Sequence, residues 1–163
     1  MEALPLSRPF FSEDGTIAFQ YPEDWYAIVV SGQITVANNQ TAAETSLPSS
    51  GQFVARMFIG PINTVGGLEN GASPLSAVQL FAQSVGDIQF GTAQELTIGS
   101  YPAARIDGTG TDGQAVIIAV DMGNGIYNVI SGLSAAGELP RYDATLLGII
   151  ASVNYVGAAN PAG

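Results

Sequence analysis

The stretch DGTGTDG, Asp107 to Gly113, carries the spacing G-x-G-x-x-G at Gly108, Gly110 and Gly113. A loop of this kind holds a dinucleotide pyrophosphate when it follows a strand and opens a helix whose N-terminal amides meet the phosphate. Here it runs into QAVIIAVDMGNG, which is β-branched and reaches new turn residues before a helix of useful length can form. A turn between two strands is the expected structure. The acids of the same stretch, Asp107 and Asp112, can both reach one end of such a hairpin, where calcium bound weakly with backbone oxygens is the alternative reading. The EF-hand pattern fails: counted from Asp107, Thr109 and Thr111 take the third and fifth positions, and Asp112 stands where glycine is required.

Other side chains with chemical potential fall mostly in turns. The pairs Glu13-Asp14 and Glu23-Asp24 bracket the first alternating strand, and two carboxylates are what glycoside hydrolysis needs. Both pairs sit in turn sequences, SEDG and YPEDW, where acids solvate loops and cap backbone, so a structural role is expected. Trp25 and Tyr26 could stack a planar ligand, but a tryptophan just after a turn and beside a β-branched strand is expected as a core anchor. Arg56 and Arg105 lie mid-strand and are expected to pair with neighbouring acids; contact with an acidic ligand is the other reading. Asn39-Gln40-Thr41 is a glycosylation sequon. The connection Gly60–Pro74 is long, small and polar, which suits contact with a partner, and Asn63, Leu68, Glu69 and Asn70 are its expected contact residues.

Composition narrows the function classes. Among 163 residues there are four arginines, no lysine, no histidine, no cysteine and 14 acids, for a net charge of −10. Four scattered cations supply no phosphate-neutralising footprint, so nucleic acid and anionic membrane surfaces are not expected partners. Without histidine or cysteine there is no Ser-His-Asp triad, imidazole base, thiol nucleophile or thiolate metal site. The expectation is a non-enzyme with no cofactor. No apolar run approaches the roughly 20 residues of a membrane span. The opening MEALPLSRPFF has no basic segment followed by an apolar one, so no signal peptide is expected.

The elements that would position these residues read as one domain. MEALPLSRP (1–9) and GAANPAG (157–163) are expected as tails around a domain at 10–156. Ile17, Phe19 and Tyr21 alternate with polar or small neighbours, a strand that Pro22 ends. Ile34–Ala37 and Phe53–Ile59 are further strands, joined by the polar loop NNQTAAETSLPSSGQ. Ser73 as N-cap and Pro74 at the first helical position open a helix over Leu75–Val85, with Val78, Phe81 and Val85 on its buried face. A strand meander follows, with Asp112-Gly113 and Asn124-Gly125 as tight hairpin turns of positive φ. AVIIAV (Ala115–Val120) lacks alternation, as a central strand covered on both faces does. Pro140 opens the clearest amphipathic helix, with Tyr142, Leu146, Ile149, Ile150 and Val153 on one side.

FSEDGTIAFQYPEDW resembles the opening of the PsbP/Mog1-like superfamily: a polar turn, a strand ending in Tyr-Pro, and a Trp shortly after. The end is similar too, with a DG hairpin, the strand IYNVISGL and a helix running into IIASVNY. The resemblance implies an α+β fold, a central antiparallel β-sheet flanked by helices on both sides in an α/β/α sandwich. Superfamily members include accessory subunits of photosystem II, a regulator of the GTPase Ran and bacterial extracytoplasmic lipoproteins, which act as binding or assembly modules. It therefore implies a protein-interaction or accessory-subunit domain with a protein partner, outside the cytoplasm, either on a bacterial surface or as a subunit of a membrane complex. PsbP proper docks through basic residues and has histidines implicated in metal binding, both missing here, so no family site residue carries over. Tyr21, Pro22 and Trp25 match the family motif as fold-forming residues.

Overall fold

The computed structural model describes residues 4–12, 15–30, 33–44, 48–61, 73–83, 88–111, 113–123 and 125–155. Its frame is an eight-stranded antiparallel sheet in the order β3-β4-β5-β10-β9-β8-β6, with β7 also paired to β8. These strands are β3 (Tyr26–Val30), β4 (Gln33–Ala37), β5 (Phe53–Pro61), β6 (Gln89–Phe90), β7 (Gln94–Ile98), β8 (Tyr101–Thr109), β9 (Gln114–Asp121) and β10 (Ile126–Ser134). A smaller antiparallel sheet joins β1 (Arg8–Phe11), β2 (Ile17–Tyr21) and β11 (Asn154–Tyr155), with β2 in the middle.

The apolar run in β9 earns its central place. Side chains alternate across a strand, and here Val116, Ile118 and Val120 join one core cluster while Ile117 and Ala119 join another. The first cluster receives Leu139, Tyr142, Leu146, Ile149 and Ile150 from helix α3 (Leu139–Ala151). The second receives Ala77 and Val78 from helix α2 (Pro74–Gln83). Burying each such Leu, Ile or Phe contributes roughly 1.5–3 kcal/mol. Of the stripe expected for α3, Tyr142, Leu146, Ile149 and Ile150 are buried on the helix, and Val153 is buried just beyond its end. Helix α2 starts as expected: Ser73 Oγ accepts from the Ser76 N–H at 3.1 Å, and Pro74 takes the first helical position. Val85, expected on its inner face, lies outside the described residues.

Two expectations need correction. The polar loop after β4 contains a short helix, α1 (Gln40–Ala43), whose Ala42 and Ala43 are buried with Ala37 and Val54. Asn39 caps it, its Oδ1 accepting from the Ala42 N–H at 2.7 Å, so the sequon asparagine has a structural task. Small alanines carry too weak an amphipathic signal to reveal four helical residues. The N-terminal segment is likewise more than a tail. Strand β1 begins at Arg8, Leu6 packs against the large core cluster, and the Leu4 N–H donates to Thr145 Oγ1 of α3 at 3.0 Å.

The two sequence ends that carried the resemblance meet in the small sheet. The Ser152 hydroxyl, at the end of α3, donates to the Ile149 carbonyl (2.7 Å) and accepts from the Gln20 N–H of β2 (2.9 Å). Val153 is buried, and Asn154 and Tyr155 then pair with Ala18 and Ile17. At the other end of β2, the Trp25 N–H closes a turn on the Pro22 carbonyl (3.0 Å). Trp25 is buried, its ring 5.8 Å from Phe53 and 6.4 Å from Tyr142, and Phe53 stacks on Tyr142 at 5.1 Å.

Candidate functional site

The glycine-rich stretch is a hairpin. Strand β8 ends at Thr109, which pairs with Gln114 at the start of β9, and the Gly110 N–H closes the loop on the Gly113 carbonyl at 2.8 Å. Strand β9 follows in place of a helix, so the loop opens no helix N-terminus to a phosphate. The glycines answer to packing. A Cβ on Gly108 would collide with Ile88 Cγ2 and come within 2.8 Å of the Phe90 ring, and one on Gly113 would lie 2.7 Å from the Ser134 carbonyl oxygen. Neither has left-handed backbone, which corrects the expectation of a positive-φ turn at Gly113. Gly125, with φ 78°, does meet that expectation, while Asn124 lies outside the described residues; Gly123, for which no such turn is expected, is also left-handed at 85°.

Asp107 does not wait at the hairpin tip with a free carboxylate. It stands on β8 two residues from Arg105, on the same face, and accepts from Arg105 Nε and Nη2 at 2.8 Å each. The same guanidinium reaches Asp143 of α3, with Nη2–Oδ1 2.9 Å and Nη1–Oδ2 3.2 Å. Burial by itself would lower the Arg105 pKa; the hydrogen bonds and charges of Asp107 and Asp143 outweigh it and hold the pKa above the ordinary arginine value. Arg105 thus pairs with acids, as expected of a mid-strand arginine. Asp112, the other half of the calcium alternative, lies outside the described residues. Among the described residues, no three acidic side chains converge to hold a metal ion.

Around this ion-pair cluster opens a shallow cleft of about 350 Å³, lined by Arg105, Asp107, Gln114, Leu139, Pro140 and Asp143. Its floor is braced by the head of α3. Gln114 Oε1 accepts from the Leu139 N–H at 3.0 Å, taking the place of the side-chain cap that Glu138 does not provide. Glu138 instead turns to the neighbouring turn, accepting from Ser50 Oγ (2.6 Å) and the Gly51 N–H (2.7 Å). Those two bonds, with the charge of Arg141, hold its carboxyl below the ordinary glutamate range. The cleft therefore has a preorganised wall and two partly exposed carboxylates, 54% for Asp107 and 31% for Asp143. Two carboxylates against one guanidinium leave a net negative charge facing solvent, a surface suited to a cationic side chain of a partner.

The remaining candidates divide between core, turn and undescribed segments. Trp25 is a core anchor, which removes it as a ligand-stacking platform. Glu23 and Asp24 are exposed in the β2–β3 turn, and Arg8 Nη1 reaches the Glu23 carbonyl oxygen at 3.5 Å. Arg56 stands mid-strand in β5, opposite Thr35 and Ser131. Glu13, Asp14, Asn63, Leu68, Glu69 and Asn70 lie outside the described residues. Gln114, Glu138 and Asp143 were missed by sequence reading. Gln114 and Glu138 are polar residues at element ends and Asp143 is a polar residue inside α3, and hydrophobic periodicity is blind to all three.

No protein-family model and no curated protein matches the sequence. Solved structures do match across most of the chain. A variant of Mog1 superposes with TM-score 0.60 at 10% identity, covering 93% of this chain and 97% of that one. LpqN, involved in cell envelope biogenesis of Mycobacterium tuberculosis, gives 0.56 at 14% identity over 90% and 88% of the two chains. Cyanobacterial PsbP (CyanoP) from Synechocystis gives 0.53 at 11% identity over 91% of each. A crystal structure from Bacteroides thetaiotaomicron also matches (TM-score 0.58, 16% identity); this chain spans 51% of its length. Among the described residues no helix is long and apolar enough to cross a membrane. With sheet order, packing and these superpositions in agreement, the chain has a PsbP/Mog1-like fold.

Proposed function

We propose that this chain is a non-catalytic protein-interaction or accessory-subunit domain of an extracytoplasmic or membrane-associated assembly. Its scaffold is an α/β/α sandwich, with α2 and α3 on opposite faces of the central sheet, a reading supported by the separate clusters they form with alternating residues of β9. One observation carries the functional reading: the likeness to Mog1, LpqN and CyanoP runs over nearly the full length of each of those chains, so what is shared is a whole module. LpqN's involvement in cell envelope biogenesis supports the envelope setting. The cleft at the head of α3 supports it further, because its charged groups already hold one another in place. That arrangement suits recognition of a partner's cation over proton transfer.

The test is cross-linking with mass spectrometry on membrane and soluble fractions of the source cells. With no lysine available, the reagent targets carboxylates. Reproducible links from Asp107, Asp143 or other surface acids to one assembly are expected. A monomer with no specific links in either fraction overturns the reading.

A further inference from the structure

The two edges of the central sheet are built differently. At the β8 side the outer strand is broken into β6 and β7 around residues 91–93, and β7 carries Glu95. Interruptions and charges of this kind keep foreign strands from pairing with an edge. At the other side lies β3, sequence YAIVV, paired among the described residues with β4 alone. It has no charge, no proline and no glycine over five residues. Tyr26 and Ile28 are 40% and 37% exposed, and Val29 is 57% exposed. Tyr26 lies opposite Ala37 and Ile28 opposite Thr35, so they share one face, while Val29, opposite Ile34, is on the other. The outward backbone groups of such a strand are a template for one more strand.

We propose that β3 is a docking edge for an extended, apolar segment of a partner protein that carries basic residues at its C-terminal end. The proposal rests on the reading of the chain as an interaction domain and names the surface and the chemistry of what it binds. Every pairing in the sheet is antiparallel, so the added strand runs antiparallel to β3. Its C-terminal end then lies beside the start of β3, where exposed Glu23 and Asp24 precede Trp25. Arg8 meets Glu23 at its backbone carbonyl. A net charge of −10 disfavours a second copy as the occupant and favours a basic one. Backbone hydrogen bonds supply the pairing, apolar side chains over Tyr26 and Ile28 supply contact area, and the acids select the basic end.

The probe is a fluorescein-labelled peptide, Val-Thr-Val-Thr-Val-Arg-Arg, titrated into the purified full chain with anisotropy as the readout. Saturable binding is expected, weakened on the order of tenfold when the terminal Arg-Arg is replaced by Glu-Glu, and weakened again by salt. Ile28→Lys places a charge on the edge and is expected to weaken binding by a similar factor. Val29→Lys is the companion variant should Ile28→Lys not fold, with Trp25 fluorescence reporting the fold. No saturable binding to the folded chain, or equal binding by both peptides and both lysine variants, overturns the proposal. So does concentration-dependent dimerisation abolished by Ile28→Lys, which assigns the edge to a second copy. Loss of peptide binding with intact cross-links to an assembly would remove this edge and leave the interaction-domain reading standing.

Discussion

Arg105 of β8 and Asp143 of α3, 38 positions apart in the chain, are joined by two hydrogen bonds of 2.9 and 3.2 Å. This pair fastens the first turns of α3 to the sheet at the cleft, and Asp107 shares the same guanidinium. We predict that Asp143→Asn destabilises the chain by about 1–2 kcal/mol, since a charge-assisted bond to a partly exposed acid is screened by solvent. A double-mutant cycle with Arg105→Met in urea should return a coupling energy of about 1 kcal/mol, smaller at high salt. A coupling of zero would mean that the pair fastens nothing.

The Phe53 ring packs against both Trp25 and Tyr142, which also meet each other. Phe53→Ala is expected to cost about 3–5 kcal/mol, lost contact and cavity together. Trp25 emission should shift to the red as its surroundings loosen. Phe53→Leu should cost markedly less and leave the emission nearly in place.

Two glycines that look alike in sequence should respond differently. At Gly113 the obstacle is the Ser134 carbonyl, 2.7 Å from where a Cβ would stand; at Gly123 space is open, but φ is 85°. Alanine at either site should destabilise by about 1–2 kcal/mol. Asparagine, which tolerates left-handed backbone, should recover part of the loss at Gly123 and none at Gly113. Recovery at both sites in thermal melts would contradict the packing account of the hairpin.

Glu138 gives the chain an acid-sensitive contact. Its folded-state carboxyl titrates below the ordinary value of 4.5, through its bonds to Ser50 and the Gly51 N–H. A depressed carboxyl stabilises the fold above its unfolded pKa, and that contribution fades as pH falls through the folded value. Glu138→Gln should therefore melt below the parent at pH 7, and the two curves should converge under acid. A gap that persists at pH 2–3, by calorimetry, would show that charge is not the cause.

At the alkaline side the sensitive group is Tyr127, pushed from 10 up to about 12 by burial and then by the charge of Asp121. Raising the folded pKa means that its contribution is complete below pH 10 and is lost as pH rises through about 12. We predict a loss of stability across that window which Tyr127→Phe removes, read by denaturant melts at stepped pH.

Much of the architecture was legible in the residues alone because burial leaves a local imprint. Ile17, Phe19 and Tyr21 alternate because one face of β2 is covered, and Val116–Val120 do not alternate because both faces of β9 are. Tyr142, Leu146, Ile149 and Ile150 recur at helical spacing because α3 buries one side. Ser73 and Pro74 mark a helix start by the groups they do or do not present to it. Each of these signals needs only a few neighbours along the chain.

What tertiary structure decided are the meetings between distant residues, which periodicity does not encode. That Arg105 faces Asp143, that Gln114 caps α3, and that Gly113 must yield to the Ser134 carbonyl depend on sheet register and on where α3 crosses it. The membership of Arg8–Phe11 in a second sheet rests on pairing with β2, though Arg8 and Pro9 by themselves read as tail. The edge position of β3 belongs to the same class: YAIVV says strand, and the strand order alone says that it is the outermost among the described residues.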